Sequence, residues 1–180
     1  MVPTPPWSLR RLYVVDEAQI EALAEVLIDC VEGGASVSFM LPLSRDHAVS
    51  FWRRVARDVA AGERALVVAE DARGICGTVQ LVLAQPDNQP HRADLAKMLV
   101  HRRARHQGLG AALLREAEAT ARECKKTLLV LDAVTGGDGA RMYERLGWVR
   151  VGDIPGYALL PTGGLCSTTV FYRQLTGDER

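Results

Sequence analysis

Arg105-x-x-Gly108-x-Gly110 is the spacing in this chain that points most directly to a bound ligand. It sits inside Val100-His-Arg-Arg-Ala-Arg-His-Gln-Gly-Leu-Gly-Ala-Ala-Leu-Leu114, where a strand-like run hands over to a helix-like one. The free N–H groups and the dipole of a helix start make an anion site. Glycines at 108 and 110 let a phosphate come close to the backbone. Arg102, Arg103 and Arg105 add positive charge with no acid near them in sequence. A pyrophosphate suits this chemistry. No Gly-Lys-Ser/Thr follows, so this is not a P-loop, and the spacing is not the GxGxxG dinucleotide fingerprint. Taken alone, the pattern also fits a glycine-rich helix entry with solvated arginines.

Two aspartates come next. Asp94 opens an apolar run that carries Met98 and Val100, and a period of two puts it on their face. Asp132 ends the apolar run Leu128–Leu131. A carboxylate on a buried strand needs a partner or a purpose. Either one could take a proton from an amine or hydroxyl, or bind an ammonium. The alternative is that Asp132 caps the following loop and Asp94 pairs with Arg92 or Lys97.

The elements that must position these residues can be read from periodicity. Leu9–Val15 reads as a strand. Asp16 with Gln19 reads as an N-cap with its capping-box partner, and Ile20, Leu23, Leu27 and Cys30 follow at helical spacing until Gly33-Gly34. Ser44 caps a second helix whose stripe is Ala48, Phe51, Trp52, Val55 and Val59. Ala65–Glu70 and Ile75–Leu83 read as a hairpin, and Ala93–Val100 as a further strand. A helix is expected over 108–123, a buried strand over Thr127–Ala133, and a short helix over Gly139–Leu146 with Gly147 at C′. Trp148–Ile154 and Thr168–Leu175 close the list. Strand–helix–strand across 93–133 demands a parallel pair, and the hairpins demand antiparallel ones. The expectation is α/β: one domain at 9–176, with a mixed, mostly antiparallel sheet of about seven strands and helices on both faces. Residues 1–8 and 177–180 are expected to be tails.

Composition bounds the function. The 180 residues carry 22 Lys+Arg against 22 Asp+Glu, so bulk positive charge for nucleic acid is absent. Apolar residues make up 48% and charged residues 24%, an ordinary globular balance. No run reaches the roughly 20 apolar residues of a membrane span, and MVPTPPWSLRR lacks a signal-peptide core. Cys30, Cys76, Cys124 and Cys166 form no CxxC, and the four histidines form no HExxH. No metal, nucleic acid or membrane partner is expected, and the expected location is cytoplasmic.

Arg/Gln-x-x-Gly-x-Gly/Ala between a strand and a helix resembles the coenzyme A pyrophosphate loop of the GNAT N-acetyltransferase superfamily. Ala140-Arg-Met-Tyr143-Glu-Arg-Leu-Gly147-Trp148 resembles that family's late helix. The element order is similar over about 9–175. Gly33–Met40, His91–Val100, Leu129–Asp132 and Val151–Tyr157 also resemble segments of tabtoxin-resistance acetyltransferases, which act on a small hydroxylated β-lactam amino acid.

The resemblance implies acetyl-CoA as co-substrate. Backbone groups of Met98, Leu99 and Val100 would face the pantetheine, and Arg105, His106, Gln107, Gly108, Leu109, Gly110 and Ala111 would hold the pyrophosphate. Ala140 and Tyr143 would flank the thioester, with Tyr143 protonating the departing thiolate. The strands of Asp94 and Asp132 would be parallel neighbours that splay where the acceptor enters. Ser36, Ser38, Phe39, Met40, Tyr157 and Cys166 would line the acceptor side. The implied activity is direct transfer, in a ternary complex, of an acetyl group to an amine or hydroxyl of a small polar molecule, such as a toxin or antibiotic. A protein N-terminal or lysine acetyltransferase and a silent acyl-CoA-binding module remain alternatives. A homodimer through the late strands is left open.

Overall fold

The structure is a computed structural model that describes residues 5–175. Its elements run β1 (Ser8–Leu12), α1 (Glu17–Glu32), α2 (Arg45–Ala60), β2 (Arg64–Asp71), β3 (Gly74–Val82), β4 (Arg92–Val100), a 3-10 turn (Arg102–Ala104), α3 (Leu109–Glu123), β5 (Leu128–Val134), α4 (Asp138–Arg145), β6 (Val149–Leu159) and β7 (Leu165–Gln174). Residues 177–180, expected as a tail, lie outside the described residues. At the other end the expected tail is shorter than 1–8, because Ser8 is already in β1 and Trp7 packs on the core.

The seven strands lie in the order β1-β2-β3-β4-β5-β7-β6. All pairs are antiparallel except β4 with β5. Local chemistry explains where the helices begin. Asp16 accepts from the Gln19 N–H while Gln19 Oε1 accepts from the Asp16 N–H, a complete capping box for α1. Ser44 caps α2 through the His47 N–H.

Each sheet face buries a separate core. α3 and α4 cover one face, where Leu109, Leu113, Ala117 and Tyr143 meet Val67, Val79, Leu129 and Phe171. α1 and α2 cover the other, where Leu23, Leu27, Trp52 and Val55 meet Leu66, Val68 and Leu99. Gly77 allows α3 to lie close to the sheet, since a Cβ there would stand 3.1 Å from Leu113 Cδ1 and 3.2 Å from the Leu99 carbonyl oxygen.

The strand bounds differ from the periodicity reading in two instructive places. β1 ends at Leu12, and Tyr13 and Val14 are exposed beyond it. β6 continues to Leu159 as an edge strand that is exposed on both faces, so no alternation marks its extent. The third departure is a bulge in β4. Thr78 pairs with Leu99 but Gln80 pairs with Ala96, so two residues of β4, Lys97 and Met98, oppose one of β3, Val79. Lys97 takes up the extra length at a φ of 48°. The bulge flips the alternation: Leu95 packs in the α3 core and Leu99 in the α1–α2 core. Asp94 therefore faces away from Met98 and Val100, not with them as a strict period of two requires.

Candidate active site

β4 pairs with β5 only from Arg92–Asp94 against Leu128–Val130. Past that point the strands separate, and β5 continues against β7 through Val134. The β5-side edge of β4 is thus left open along the stretch that carries Met98, Leu99 and Val100. An open edge in a sheet is a template for an extended chain with amide groups of its own.

At the end of this edge α3 begins without a side-chain cap. His106 and Gly108 both adopt left-handed backbone, at φ of 60° and 77°. Gly108 meets this at no steric cost. The N–H groups of Leu109, Gly110 and Ala111 have no acceptor within the helix. The first turn carries no acidic residue. Successive amides in this conformation form a nest for an anion, aided by the helix dipole. Gly110 lets α4 come in close, since a Cβ there would meet Met142 Sδ at 3.1 Å.

The arginines act differently from their expected part. Arg102 and Arg103 do have acids nearby, supplied by distant parts of the chain. Asp29 of α1 is 8% exposed and accepts from the Arg102 N–H and the Arg102 Nε, each at 2.8 Å. Glu32 lies 3.6 Å from Arg102 Nη2. Arg103 Nε reaches Asp71 at 3.1 Å, and its Nη2 reaches the Ile75 carbonyl at 3.0 Å. Burial alone would raise the Asp29 carboxyl. The Arg102 hydrogen bonds, with help from His101, outweigh it and hold the group below its ordinary value. Arg102 and Arg103 therefore staple the 3-10 turn to α1 and to the β2–β3 hairpin. Arg105 has no carboxylate within salt-bridge distance among the described residues. It turns inward, and its Nε donates to the Val100 carbonyl at 3.0 Å. Cys30 Sγ lies 3.4 Å from the same oxygen, so that acceptor is already used. The anion seat is thus mainly backbone, and the arginines shape it.

On the other side of the splay is a pocket of about 470 Å³. Ser36, Ser38, Phe39 and Met40 form one wall, Asp132, Ala133 and Val134 of β5 form the floor, and Tyr157, Ala158, Leu159, Leu165, Cys166 and Thr168 of the β6–β7 hairpin form the other wall. The two walls are tied by Ser36 Oγ donating to the Leu159 carbonyl at 3.1 Å and the Leu41 N–H donating to the Pro161 carbonyl at 2.9 Å. The Ser36 proton is thereby committed within the protein. The structure thus brings Ser36, Ser38, Phe39, Met40, Asp132, Tyr157 and Cys166 into one pocket.

Asp132 is solvent-exposed, and its Oδ2 accepts from Thr168 Oγ1 at 3.0 Å. Asp94 is not part of the pocket. Its carboxylate is held by Arg92 Nη1 and by Gln85 Nε2, the latter at 3.1 Å. Its place as an acceptor-side carboxylate is corrected accordingly: the pairing with Arg92 is the arrangement present, and the β4 bulge removes it from the face of Met98.

Tyr143 is 5% exposed, packed 5.7 Å from the Trp148 ring and 5.9 Å from the Phe171 ring. Burial pushes its phenol well above the ordinary value, and the charge of Asp132 adds to the shift. That coupling places Tyr143 and Asp132 within electrostatic reach across β5. Ala140 lies one turn earlier on α4, buried.

Sequence reading alone missed three contributors. Asp29 looked like one more residue of an amphipathic helix. Thr168 looked like a strand residue. Lys97 is the third: its Nζ donates to Ser38 Oγ at 3.1 Å and lies 5.9 Å from the Phe39 ring centroid and 5.8 Å from that of Phe51. Burial, and then the Arg64 guanidinium, lower the Lys97 ammonium below its ordinary value, while Asp132 opposes them. In the sequence Lys97 stands out only as an alternative partner for Asp94, in a strand that also carries Arg92.

Residues 62–150 match the family model of the acetyltransferase (GNAT) domain. That segment holds the splay, the amide nest, Asp132 and Tyr143. Among solved structures, the chain is similar to yncA of Salmonella typhimurium, whose structure holds its cofactor acetyl-CoA: TM-score 0.76, 19% identity, 97% of each chain covered. It is similar to an N-acetyltransferase from Staphylococcus aureus Mu50, with TM-score 0.77, 13% identity, and 94% of this chain and 99% of that one covered. A ribosomal-protein-alanine N-acetyltransferase from Brucella melitensis gives TM-score 0.76 at 21% identity over 93% and 99%. The chain has the single-domain GNAT fold, and its residues 62–150 are similar to that family's acetyltransferase domain.

Proposed function

We propose that the protein transfers an acetyl group from acetyl-CoA directly to an amine or hydroxyl of a small polar molecule. One observation carries this reading: the open edge of β4 and the amide nest of α3 meet, at a single splay, a pocket that contains a carboxylate. Acetyl-CoA would supply the activated acetyl group. The backbone edge at Met98–Val100 suits its extended pantetheine arm, and the nest at His106–Ala111 suits its pyrophosphate. The Salmonella protein that this chain resembles holds acetyl-CoA. A pocket of about 470 Å³ is in the range of small-molecule sites and is closed on two sides by tied walls.

In this reading Asp132 takes the proton from the acceptor amine or hydroxyl, directly or through water. Thr168 Oγ1, which has a single proton and lies 3.0 Å from both Asp132 Oδ2 and the Ala133 carbonyl, contacts only one carboxylate oxygen and leaves the other for the acceptor. Tyr143 faces the leaving sulfur. A phenol held above its ordinary value is a weaker acid than a thiol of about 8.5, so complete proton transfer to the thiolate runs uphill. Tyr143 therefore stabilises the leaving sulfur as a hydrogen-bond donor. No cysteine is needed as an acyl carrier. Cys30 is 2% exposed, and burial holds its thiol above the ordinary value. Cys166 lies in the pocket wall with Sγ 4.0 Å from Ser36 Oγ and with no base beside it.

A hydroxylated β-lactam amino acid of the tabtoxin kind is the first acceptor to try, on the strength of the sequence resemblance. The Brucella neighbour is a ribosomal-protein-alanine N-acetyltransferase, which names an acceptor of another class. The fold alone does not choose between them. Thiol release from acetyl-CoA, measured against amines, amino acids, hydroxylated β-lactams and peptides, tests the reading. Turnover on a small acceptor supports it. Turnover on peptides alone would replace it with the protein-acetylating alternative. Tight acetyl-CoA binding with no turnover on any acceptor would leave a non-catalytic acyl-CoA-binding module.

Self-association through β6 is part of the same proposal. Val149, Val151, Ile154, Tyr157 and Leu159 are exposed along this edge strand, and Leu165 is 72% exposed beside it. An apolar edge of this length invites pairing with a second copy. Sedimentation of the full chain at micromolar concentration is the check. No helix of the described residues is long and apolar enough to cross a membrane.

A further inference from the structure

The strand bulge at Lys97 puts an ammonium where a simple amine-binding pocket would not need one. Lys97 is half-buried, and none of the carboxylates among the described residues lies within salt-bridge distance of it. Its one hydrogen bond goes to Ser38 Oγ, at 3.1 Å. Phe39 and Phe51 present their rings to it at 5.9 Å and 5.8 Å. Ring faces stabilise a cation by their quadrupole but do not neutralise it. Asp132 offsets part of this charge from beyond ion-pair distance, and a half-buried ammonium with no carboxylate in contact costs free energy that a partner would recover. The chain accepts this cost together with left-handed backbone at two non-glycine residues, Lys97 at a φ of 48° and Ser38 at 74°. Strain at such positions collects at working sites.

Ser38 is the link to the pocket. It is exposed and lines the same wall as Phe39 and Met40. Because its oxygen accepts from Lys97, its own proton is free to point outward. A hydroxyl polarised by an ammonium is a strong donor to an anion. Across the pocket stands Asp132, whose unshared oxygen suits an ammonium or an amine. One wall thus offers a positive end and the floor a negative one.

We infer that the acceptor carries an anionic group as well as its reacting amine, and that Ser38, backed by Lys97, binds that group as a carboxylate. The inference rests on the acetyltransferase reading and adds to it a specificity device. Lys97 and Ser38 act on the end of the acceptor that does not react, and Asp132 acts on the end that does. A phosphonate or sulfonate shares the chemistry, but a phosphonate brings more charge and both bring a third acceptor oxygen, whereas a carboxylate matches a single hydroxyl donor plus one ammonium.

The test is a ratio. An amine acceptor found in the panel is compared as its free carboxylate, its carboxamide and its phosphonate analogue, with kcat/KM measured for each. The expected result for the natural chain is a preference of at least tenfold for the carboxylate over the carboxamide. In Lys97→Met that ratio falls to near one, mainly through KM for the carboxylate. In Ser38→Ala it falls part of the way, and Lys97→Arg keeps most of it. Thermal stabilisation by acetyl-CoA, measured on each variant, shows that the variant is folded. A natural chain that takes the carboxamide as well as the carboxylate overturns the inference, and so does a Lys97→Met that lowers both equally. A preference for the phosphonate over the carboxylate also overturns the assignment to a carboxylate. Where no acceptor turns over, the acetyltransferase reading is what fails, and Lys97 is then judged by binding. The CoA-loaded protein is titrated calorimetrically with N-acetylglycine and N-acetylglycinamide. Binding of the acid alone, lost in Lys97→Met, supports the seat, and equal or absent binding of the two overturns it.

Discussion

The cradle at the start of α3 and the pocket under the β6–β7 hairpin lie on either side of one splay, and they are made of different material. The cradle is backbone. Its donors are the amides of residues 106–111 and the open edge of β4, and side chains such as Asp29, Arg102 and Arg103 act by holding that backbone still. The pocket is side chains. Asp132, Thr168, Ser38 and Lys97 carry its polarity, and Phe39, Met40, Tyr157 and Leu165 carry its shape. A backbone site tolerates many sequences as long as its turn is kept. A side-chain site changes its ligand with each substitution. One fold can therefore keep a backbone-made seat and vary the side-chain pocket beside it.

The sharpest way to break this contrast is to remove the base from the pocket. Asp132→Asn keeps the shape and the Thr168 contact. Turnover is expected to fall about 10²–10⁴-fold, the range of general-base catalysis, with acetyl-CoA affinity unchanged. Equal loss of acetyl-CoA binding, seen by calorimetry, would show that the two regions are not separable. Tyr143→Phe is next. A hydrogen bond to a charged group contributes about 1.5–3 kcal/mol, so kcat is expected to drop roughly 10- to 100-fold with little change in either KM. A larger loss, with an ionisation in the kcat profile that disappears in the variant, would restore the phenol as a full proton donor.

Asp29→Asn probes the cradle from a distance. Asp29 touches no ligand-facing atom. It holds the Arg102 N–H and guanidinium, and through them the turn that leads into the nest. The expected effect is a rise of about tenfold in the acetyl-CoA Kd, with the acceptor KM unchanged, and a stability loss of about 1–3 kcal/mol from the partners left behind. The pH dependence has a definite sign. The folded-state pKa of Asp29 is below its ordinary value, so its contribution is present above that value and is lost as pH falls through the folded pKa. Below about pH 4 the natural chain should approach the variant in acid unfolding, and at neutral pH it should exceed it. Gly108→Ala tests the nest itself. Its φ of 77° strains any side chain by roughly 1–2 kcal/mol, and the expected outcome is a several-fold weaker acetyl-CoA Kd with unaltered acceptor preference.

The same contrast decides what can be read from the sequence. The cradle is local: Arg105-x-x-Gly108-x-Gly110 lies within six residues, and both glycines announce a backbone need. The caps Asp16 and Ser44 and the C′ glycine Gly147 are local too, and all three stand where their chemistry puts them. The pocket is assembled from 36–40, 132–134 and 157–168, segments joined only by tertiary structure, so resemblance, not periodicity, brought most of them forward. Two failures have the same physical origin. A single bulge at Lys97 inverts a period of two, which is why Asp94 falls on the other face. Charges close in space but distant in sequence cannot be paired by eye, so Arg102 and Arg103 looked free while Asp29 and Asp71 were waiting for them.

The smallest expected effect falls on the seam between the loop and the hairpin. Ser36 Oγ donates to the Leu159 carbonyl, and the Leu41 N–H donates to the Pro161 carbonyl, so two bonds hold the pocket walls at their spacing. Ser36→Ala removes the first and leaves the second. A half-exposed hydroxyl–carbonyl bond contributes about 0.5–1.5 kcal/mol. The melting temperature should therefore fall by only about 2–4 °C for a chain of this size. The informative readout is kinetic. If the seam sets the width of the pocket, the acceptor KM rises a few-fold while the acetyl-CoA Kd and the response to Asp29→Asn stay as they were. If acetyl-CoA affinity falls with it, the hairpin also braces the splay, and the boundary between cradle and pocket must be moved from β5 to β7.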